Sequence, residues 1–120
     1  MRVVFVIDES DVFNDLFEVN VEWNCPFLPR QGEFINPDIL TKELTSQKFY
    51  EKLTGKAKKE WYRWVKNRQN SYGSVKETEE VCMSEWLLDM KMRVKEVTWD
   101  IDTKGCFAVI GLEESRKILV

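Results

Sequence analysis

The side chains best suited to bind a ligand lie between residues 56 and 68, where basic and aromatic residues are interleaved. Lysine and arginine contact phosphates, and exposed aromatic rings stack on unpaired bases at about 1–3 kcal/mol per base. Trp61 and Trp64, three residues apart, lie on one face of a helix. The segment is a candidate nucleic-acid or partner-binding helix, with these candidate residues: Lys56, Lys58, Lys59, Arg63, Lys66, Arg68, Trp61 and Trp64.

The same spacing also fits an ordinary amphipathic helix. An apolar face of this kind is commonly buried in a core, with the cations solvated on the opposite side. Trp61 and Trp64 would then pack inward and be unable to stack on a base. The sequence alone leaves both interpretations open.

Charge is unevenly distributed along the chain. From Lys42 to Arg68 there are nine basic and three acidic side chains, a net charge of +6. Because the whole chain carries −3, the remainder carries −9. Such separation indicates an interaction surface, for another protein, for nucleic acid or for a second copy of the chain in a homodimer.

Acidic residues form two short clusters outside the basic segment. Carboxylates can bind a hard cation such as Mg²⁺, but neither cluster has the spacing of an EF-hand loop. We therefore predict no metal site and no cofactor. A solvated face, or an electrostatic match to the basic helix, is the favoured interpretation of these residues: Asp8, Glu9, Asp11, Glu77, Glu79 and Glu80.

Several enzyme classes are excluded by composition. The chain has no histidine, which removes the usual general base near pH 7 and every serine, cysteine or zinc hydrolase mechanism that relies on one. Cys25, Cys82 and Cys106 contain no C-x-x-C pair and are an odd number, which argues against a disulfide framework and a tetrahedral zinc site. We predict no catalytic residue, and a carboxylate-based enzyme is the weakest of three candidate functions. A non-enzymatic protein-interaction or scaffold module comes first, and nucleic-acid binding second.

Length and hydropathy indicate one globular domain over residues 1–120. The chain is 43% hydrophobic and 32% charged, in the ordinary globular range. No apolar run approaches the roughly 18 residues that cross a bilayer. The first residues turn acidic where a signal peptide would need a longer apolar stretch. These features predict a cytoplasmic protein without a membrane partner.

Strand-like segments lie near both ends of the chain. Runs of β-branched residues and two-residue alternation predict strands over 2–7, 17–24, 90–101 and 106–112, with 117–120 as a short closing strand. A slip in the alternation at Lys95-Glu96 predicts a β-bulge. Residues 102–105 have the composition of a hairpin turn. Five residues near these strands are predicted to be core: Trp23, Phe34, Ile35, Trp86 and Trp99.

A helical insert is predicted between the strands, over about residues 41–89. Three helices are indicated, over 41–53, 56–70 and 75–89, and the first could instead begin at Asn36-Pro37-Asp38. Ser74 followed by Glu77 is a capping box for the third. Each predicted helix has one apolar face. In the first helix it consists of Leu44, Phe49 and Leu53, and in the second of Ala57, Trp61, Trp64 and Val65. In the third it is a stripe of Val81, Cys82, Trp86 and Leu88.

Two short motifs carry a resemblance to a known class of proteins. Residues 28–33, Leu-Pro-Arg-Gln-Gly-Glu, and residues 94–100, Val-Lys-Glu-Val-Thr-Trp-Asp, resemble uncharacterised bacterial and phage-type proteins that look like small SH3-like β-barrels. The resemblance implies an architecture and no activity, and the helical insert departs from it. The predicted fold is α+β: a small bent antiparallel sheet or SH3-like barrel with the insert packed against it. Arg30 and Glu33 could form a polar site at a barrel mouth, or serve only the turn.

Overall fold

The computed structural model describes residues 1–68 and 74–115. The predicted α+β class, with helices inserted between the strands, is confirmed. The predicted end of the second helix at Asn70 and the closing strand over 117–120 lie outside the described residues. In chain order the elements are β1 (Arg2–Ile7), β2 (Phe17–Glu22), α1 (Asp38–Thr41), α2 (Ser46–Lys52), α3 (Gly55–Arg68), α4 (Val75–Met90), β3 (Met92–Asp102) and β4 (Gly105–Glu114).

The four strands form one open sheet in the order β2-β1-β4-β3. The outer pairs are antiparallel, and the two central strands are parallel, from Val3 opposite Ala108 to Ile7 opposite Leu112. Parallel strands need a long crossover, which the helices supply. The described strands do not close into a barrel, so the sheet is the one of the two predicted forms that is present. The sheet is mixed and not wholly antiparallel, because β1 and β4 pair in parallel.

The β3–β4 hairpin has the features that its sequence predicts. Its register shifts between Val94 and Glu96, which leaves Lys95 as the extra residue of a bulge. Thr103 and Lys104 form the two-residue turn, and Gly105 follows at a φ of 115°, where glycine has no steric penalty.

The N-termini of α2, α3 and α4 are capped by hydroxyl groups. The side chains of Thr45, Thr54 and Ser74 accept hydrogen bonds from Lys48 N, Ala57 N and Glu77 N at 3.1–3.2 Å. The cap at Thr45 starts a new helix, which is why residues 38–52 form α1 and α2 and not the single predicted helix. No helix within residues 1–68 or 74–115 is both long and apolar enough to cross a membrane.

The helices cover one face of the sheet and enclose the core. Phe49 of α2, Trp61 of α3 and Trp86 of α4 contact one another with ring centroids 5.3–6.3 Å apart. Contacts among these three rings hold α2, α3 and α4 together as one layer. Below them lie the buried sheet residues Val3, Phe5, Ile7, Phe17, Val19, Val21, Met92, Val94, Ala108, Ile110 and Leu112.

Three residues predicted to be core are exposed: Phe34, Leu88 and Trp99. On α4 the buried stripe passes through Leu87 and not Leu88, because Cys82, Met83, Trp86 and Met90 define a face that excludes it. Phe34 pairs with Arg93 outside the sheet edge, while its neighbour Ile35 enters the core as predicted. Trp99 lies on the outermost strand, β3.

Candidate functional site

The apolar face of α3 points into the protein. Ala57 and Trp61 are buried, and Trp64 and Val65 are half-buried against the core. Trp61 is only 5% exposed, so it cannot stack on a base. Tyr62, at 66% exposure, is the aromatic residue of this helix that solvent reaches most. The amphipathic interpretation therefore describes the tryptophans correctly.

The basic residues of α3 fall into two groups. Arg68 forms an ion pair with Glu85 at 2.6 Å, and Lys58 lies over the ring of Tyr50. The others follow one another at intervals of three, four and three residues, which places them along one outer face. None of them has an ion-pair partner in the described part of the chain. We call this set the basic stripe: Lys56, Lys59, Arg63 and Lys66.

The acidic clusters serve the fold at separate places. The buried Glu9 side chain accepts a hydrogen bond from Glu114 N at 3.0 Å, and Glu80 accepts one from Ser46 N at 3.1 Å. Glu85, outside both clusters, pairs with Arg68 of α3 and also accepts a hydrogen bond from Trp64 Nε1. Among the described residues, no group of three or more acidic, cysteine or histidine side chains could hold a metal ion.

Arg30 and Glu33 stabilise a turn. Glu33 Oε1 accepts hydrogen bonds from Arg30 N at 2.6 Å and from Arg30 Nε at 3.3 Å. Gly32, at a φ of 90°, then donates to Val94 O, and Val94 N donates to Glu33 O. Through these hydrogen bonds residues 32–35 run along the outer edge of β3. They cover only the first residues of that strand.

Beyond Val94 no strand among the described residues pairs with the outer edge of β3. Asp102 and Gly105 close a two-residue hairpin, and because pairs alternate in an antiparallel ladder, Val97, Trp99 and Ile101 direct their backbone groups away from β4. Ile101 N donates to Asp100 Oδ1. The backbone N–H and C=O groups of Val97 and Trp99 have no partner among the residues described.

The two faces of this open edge differ in chemistry. Val97, Trp99 and Ile101 are on the helix-bearing face, since they pair with Ile110, Ala108 and Cys106. Trp99 is 61% and Ile101 70% exposed. Trp99 is level with the first paired residue of β1, and Ile101 lies beyond it. The opposite face carries a row of acidic side chains: Glu96, Asp100 and Asp102. We call the open edge with its two rows the β3 edge.

The acidic row borders a trough on the uncovered face of the sheet. The trough has a volume of about 610 Å³, and its floor includes Val4 and Val109 of the central strands. Arg2 closes one end, where it pairs with Asp102 at 2.6 Å and lies over the ring of Phe107. The hydrogen bond from Arg2 holds the pKa of Asp102 below its ordinary value. Arg2 offsets the charge of Asp102, so Glu96 and Asp100 carry the negative charge of the row, and Lys95 also lines the trough.

The β3 edge is a site that the sequence alone did not predict. Its signal is present in residues 96–102, Glu-Val-Thr-Trp-Asp-Ile-Asp, where apolar and acidic side chains alternate almost strictly. The alternation predicts a strand with Trp99 in the core, because nothing in it shows which strand occupies the edge of the sheet.

The cysteines differ in accessibility, which gives a direct test of the packing of α4. Cys82 is buried, and burial raises the pKa of its thiol, with a smaller contribution from Glu85. Cys25 and Cys106 are exposed. Because the thiolate is the reactive form, we expect an aromatic disulfide reagent to titrate two thiols rapidly in the native protein and the third only after unfolding. Three rapid thiols in the native protein would contradict this packing.

No protein-family model matches the chain, and neither a curated protein nor a solved structure matches it. The resemblance to small SH3-like barrels therefore stays a prediction. Nucleic-acid binding and carboxylate-based catalysis also stay predictions.

Proposed function

We propose that this chain is a protein-interaction module that binds an extended segment of another protein at the β3 edge. The observation that carries the proposal is the backbone of Val97 and Trp99, which has no partner within residues 1–68 and 74–115, beside an exposed apolar row. A bare strand edge is a template for another strand, and strand addition is a recurrent mode of peptide recognition.

The chemistry of the two rows specifies the partner segment. Side chains of an added strand point alternately to the two faces of the sheet. Apolar side chains of the partner would pack beside Trp99 and Ile101, and its alternate residues would face Glu96 and Asp100. The segment that fits is an extended one in which apolar residues alternate with lysine or arginine.

A second copy of the same edge fits poorly. Two β3 strands related by a twofold axis perpendicular to the sheet would pair antiparallel with like faces adjacent. Their acidic rows would then lie side by side, and like charges placed opposite one another destabilise a strand pair. The charge of the edge therefore favours a basic partner over antiparallel self-pairing.

The proposal is tested with a labelled peptide in which valine and lysine alternate, titrated with the protein and followed by fluorescence anisotropy. We expect saturable binding, and at least about a tenfold loss of affinity, or 1.4 kcal/mol, in Asp100→Lys. Glu51→Lys, which makes the same change of charge at an exposed position of α2, is the matched control and should alter affinity by less than about twofold.

Other peptides and a check of folding complete the experiment. A peptide in which valine alternates with glutamate should not bind, because its charges oppose the acidic row. Circular dichroism establishes that both variants keep the native fold. Absence of saturable binding of the basic peptide to the wild type, or equal losses in Asp100→Lys and Glu51→Lys, would overturn the proposal.

A further inference from the structure

We infer that the groove between α2, α3 and α4, together with the adjoining basic stripe, binds single-stranded nucleic acid. This inference is independent of the proposed function, since the groove and the β3 edge share no residue. Two separate observations carry it: an aromatic-lined cavity, and a row of four cations that forms no ion pair among the described residues, with Glu60 as the one acidic side chain of α3 beside it.

The groove has the size and lining that a nucleobase requires. Its volume is about 540 Å³, within the usual range of small-molecule sites. Tyr50 and Tyr62 are exposed in its walls, and Trp61 contributes to the lining although it is almost wholly buried. Gln47 and Glu79 supply polar groups beside the rings, able to pair with the hydrogen-bonding edge of a base. Tyrosine rings in such a groove offer stacking surfaces that accept any base.

The basic stripe supplies the contacts to phosphate. Lys56 and Lys66 are ten residues apart on α3, a distance of about 15 Å at 1.5 Å per residue. A row of that length spans several phosphates, so a strand matches it better than a free mononucleotide does. Because no carboxylate among the described residues pairs with the stripe, its charge is available to a polyanion.

One residue connects the two parts of the site. Lys66 belongs to the basic stripe and also lines the groove, with its ammonium 6.0 Å from the centroid of the Tyr62 ring. A base stacked in the groove would therefore have its own phosphate next to the stripe. Bases in a duplex are already stacked and paired, so this arrangement selects a single strand.

The charge on the rest of the chain determines which face of the protein a nucleic acid approaches. The net charge is −3, while the segment containing α3 is strongly positive. A polyanion is therefore repelled by most of the molecule and attracted to this face.

The inference is tested by fluorescence anisotropy with a labelled oligothymidine of about a dozen nucleotides at low salt, using the purified full chain. We expect Lys59→Glu combined with Arg63→Glu to weaken binding at least tenfold. The slope of log K against log salt should become shallower by about 1.4, since each phosphate contact to a single strand contributes about 0.7. Lys42→Glu combined with Lys104→Glu makes the same charge change at exposed sites outside α3 and should alter affinity by less than about threefold.

The groove is tested separately from the stripe. Tyr62→Ala should weaken oligothymidine binding at least about fivefold, because one stacking contact is worth about 1–3 kcal/mol. A duplex of the same length and a mononucleotide should both bind more weakly than the single strand. The inference is overturned if the wild type does not bind at low salt, if the two double variants lose affinity equally, if Tyr62→Ala binds like the wild type, or if the duplex or mononucleotide binds as tightly as the strand.

Discussion

Replacing Trp61 by alanine lowers the free energy of unfolding by about 3–5 kcal/mol, the usual cost of removing a large aromatic side chain from a core. Trp61 is the centre of the helical layer, with its ring 5.3 Å from Phe49 and 6.0 Å from Trp86. Alanine at this position leaves a cavity between three helices that cannot close without moving α3. The measurement is urea-induced unfolding followed by circular dichroism.

Tyr62→Ala is the matched control for this prediction. Tyr62 is the next residue of the same helix, also aromatic, and 66% exposed. Its replacement should change the free energy of unfolding by less than about 1 kcal/mol, as is typical of surface positions. Comparable losses in the two variants would show that Trp61 is not in the core, and the assignment of base stacking to Tyr62 would fail with it.

Proline at position 4 should cost at least about 2 kcal/mol of stability, whereas proline at position 99 should cost about 1 kcal/mol or less. Val4 is in β1, which has a strand on each side, so its N–H lies within a ladder. Proline removes that donor, and a carbonyl left unpaired in a buried sheet costs about 1–3 kcal/mol. At Trp99 the N–H points outward from an edge strand, where proline is tolerated.

Urea unfolding of Val4→Pro and Trp99→Pro measures this difference directly. Similar losses in the two variants would contradict the strand order β2-β1-β4-β3. The folded Trp99→Pro protein has a further use, because it lacks the outward N–H and the indole of the β3 edge. It should no longer bind the alternating valine–lysine peptide.

The two proposed sites predict separable defects. Asp100→Lys changes the β3 edge and leaves the groove and basic stripe untouched, so oligothymidine binding should not weaken. The double variant of Lys59 and Arg63 should keep its affinity for the peptide. A scaffold that joins a basic protein segment to a nucleic-acid strand would require both sites, and each variant would remove one of them.

Local sequence determined where the helices and strands of this protein form, and which face of most of them packs into the core. The bulge at Lys95, the hairpin turn before Gly105 and the cap at Ser74 each follow from residues within a few positions of one another. The inward direction of Trp61 follows from helical periodicity. These features are local because backbone geometry and short-range hydrogen bonds decide them.

Tertiary structure alone decided which surfaces remain uncovered. Alternation shows that Trp99 and Ile101 share a face with the core, but it cannot show that the hairpin extends beyond the first paired residue of β1. The parallel pairing of β1 with β4 leaves β3 at the edge, and that choice depends on contacts between residues about a hundred positions apart. The sequence therefore could not predict the candidate site. Whether a side chain is exposed to solvent depends on what packs against it, and not on its own type or spacing.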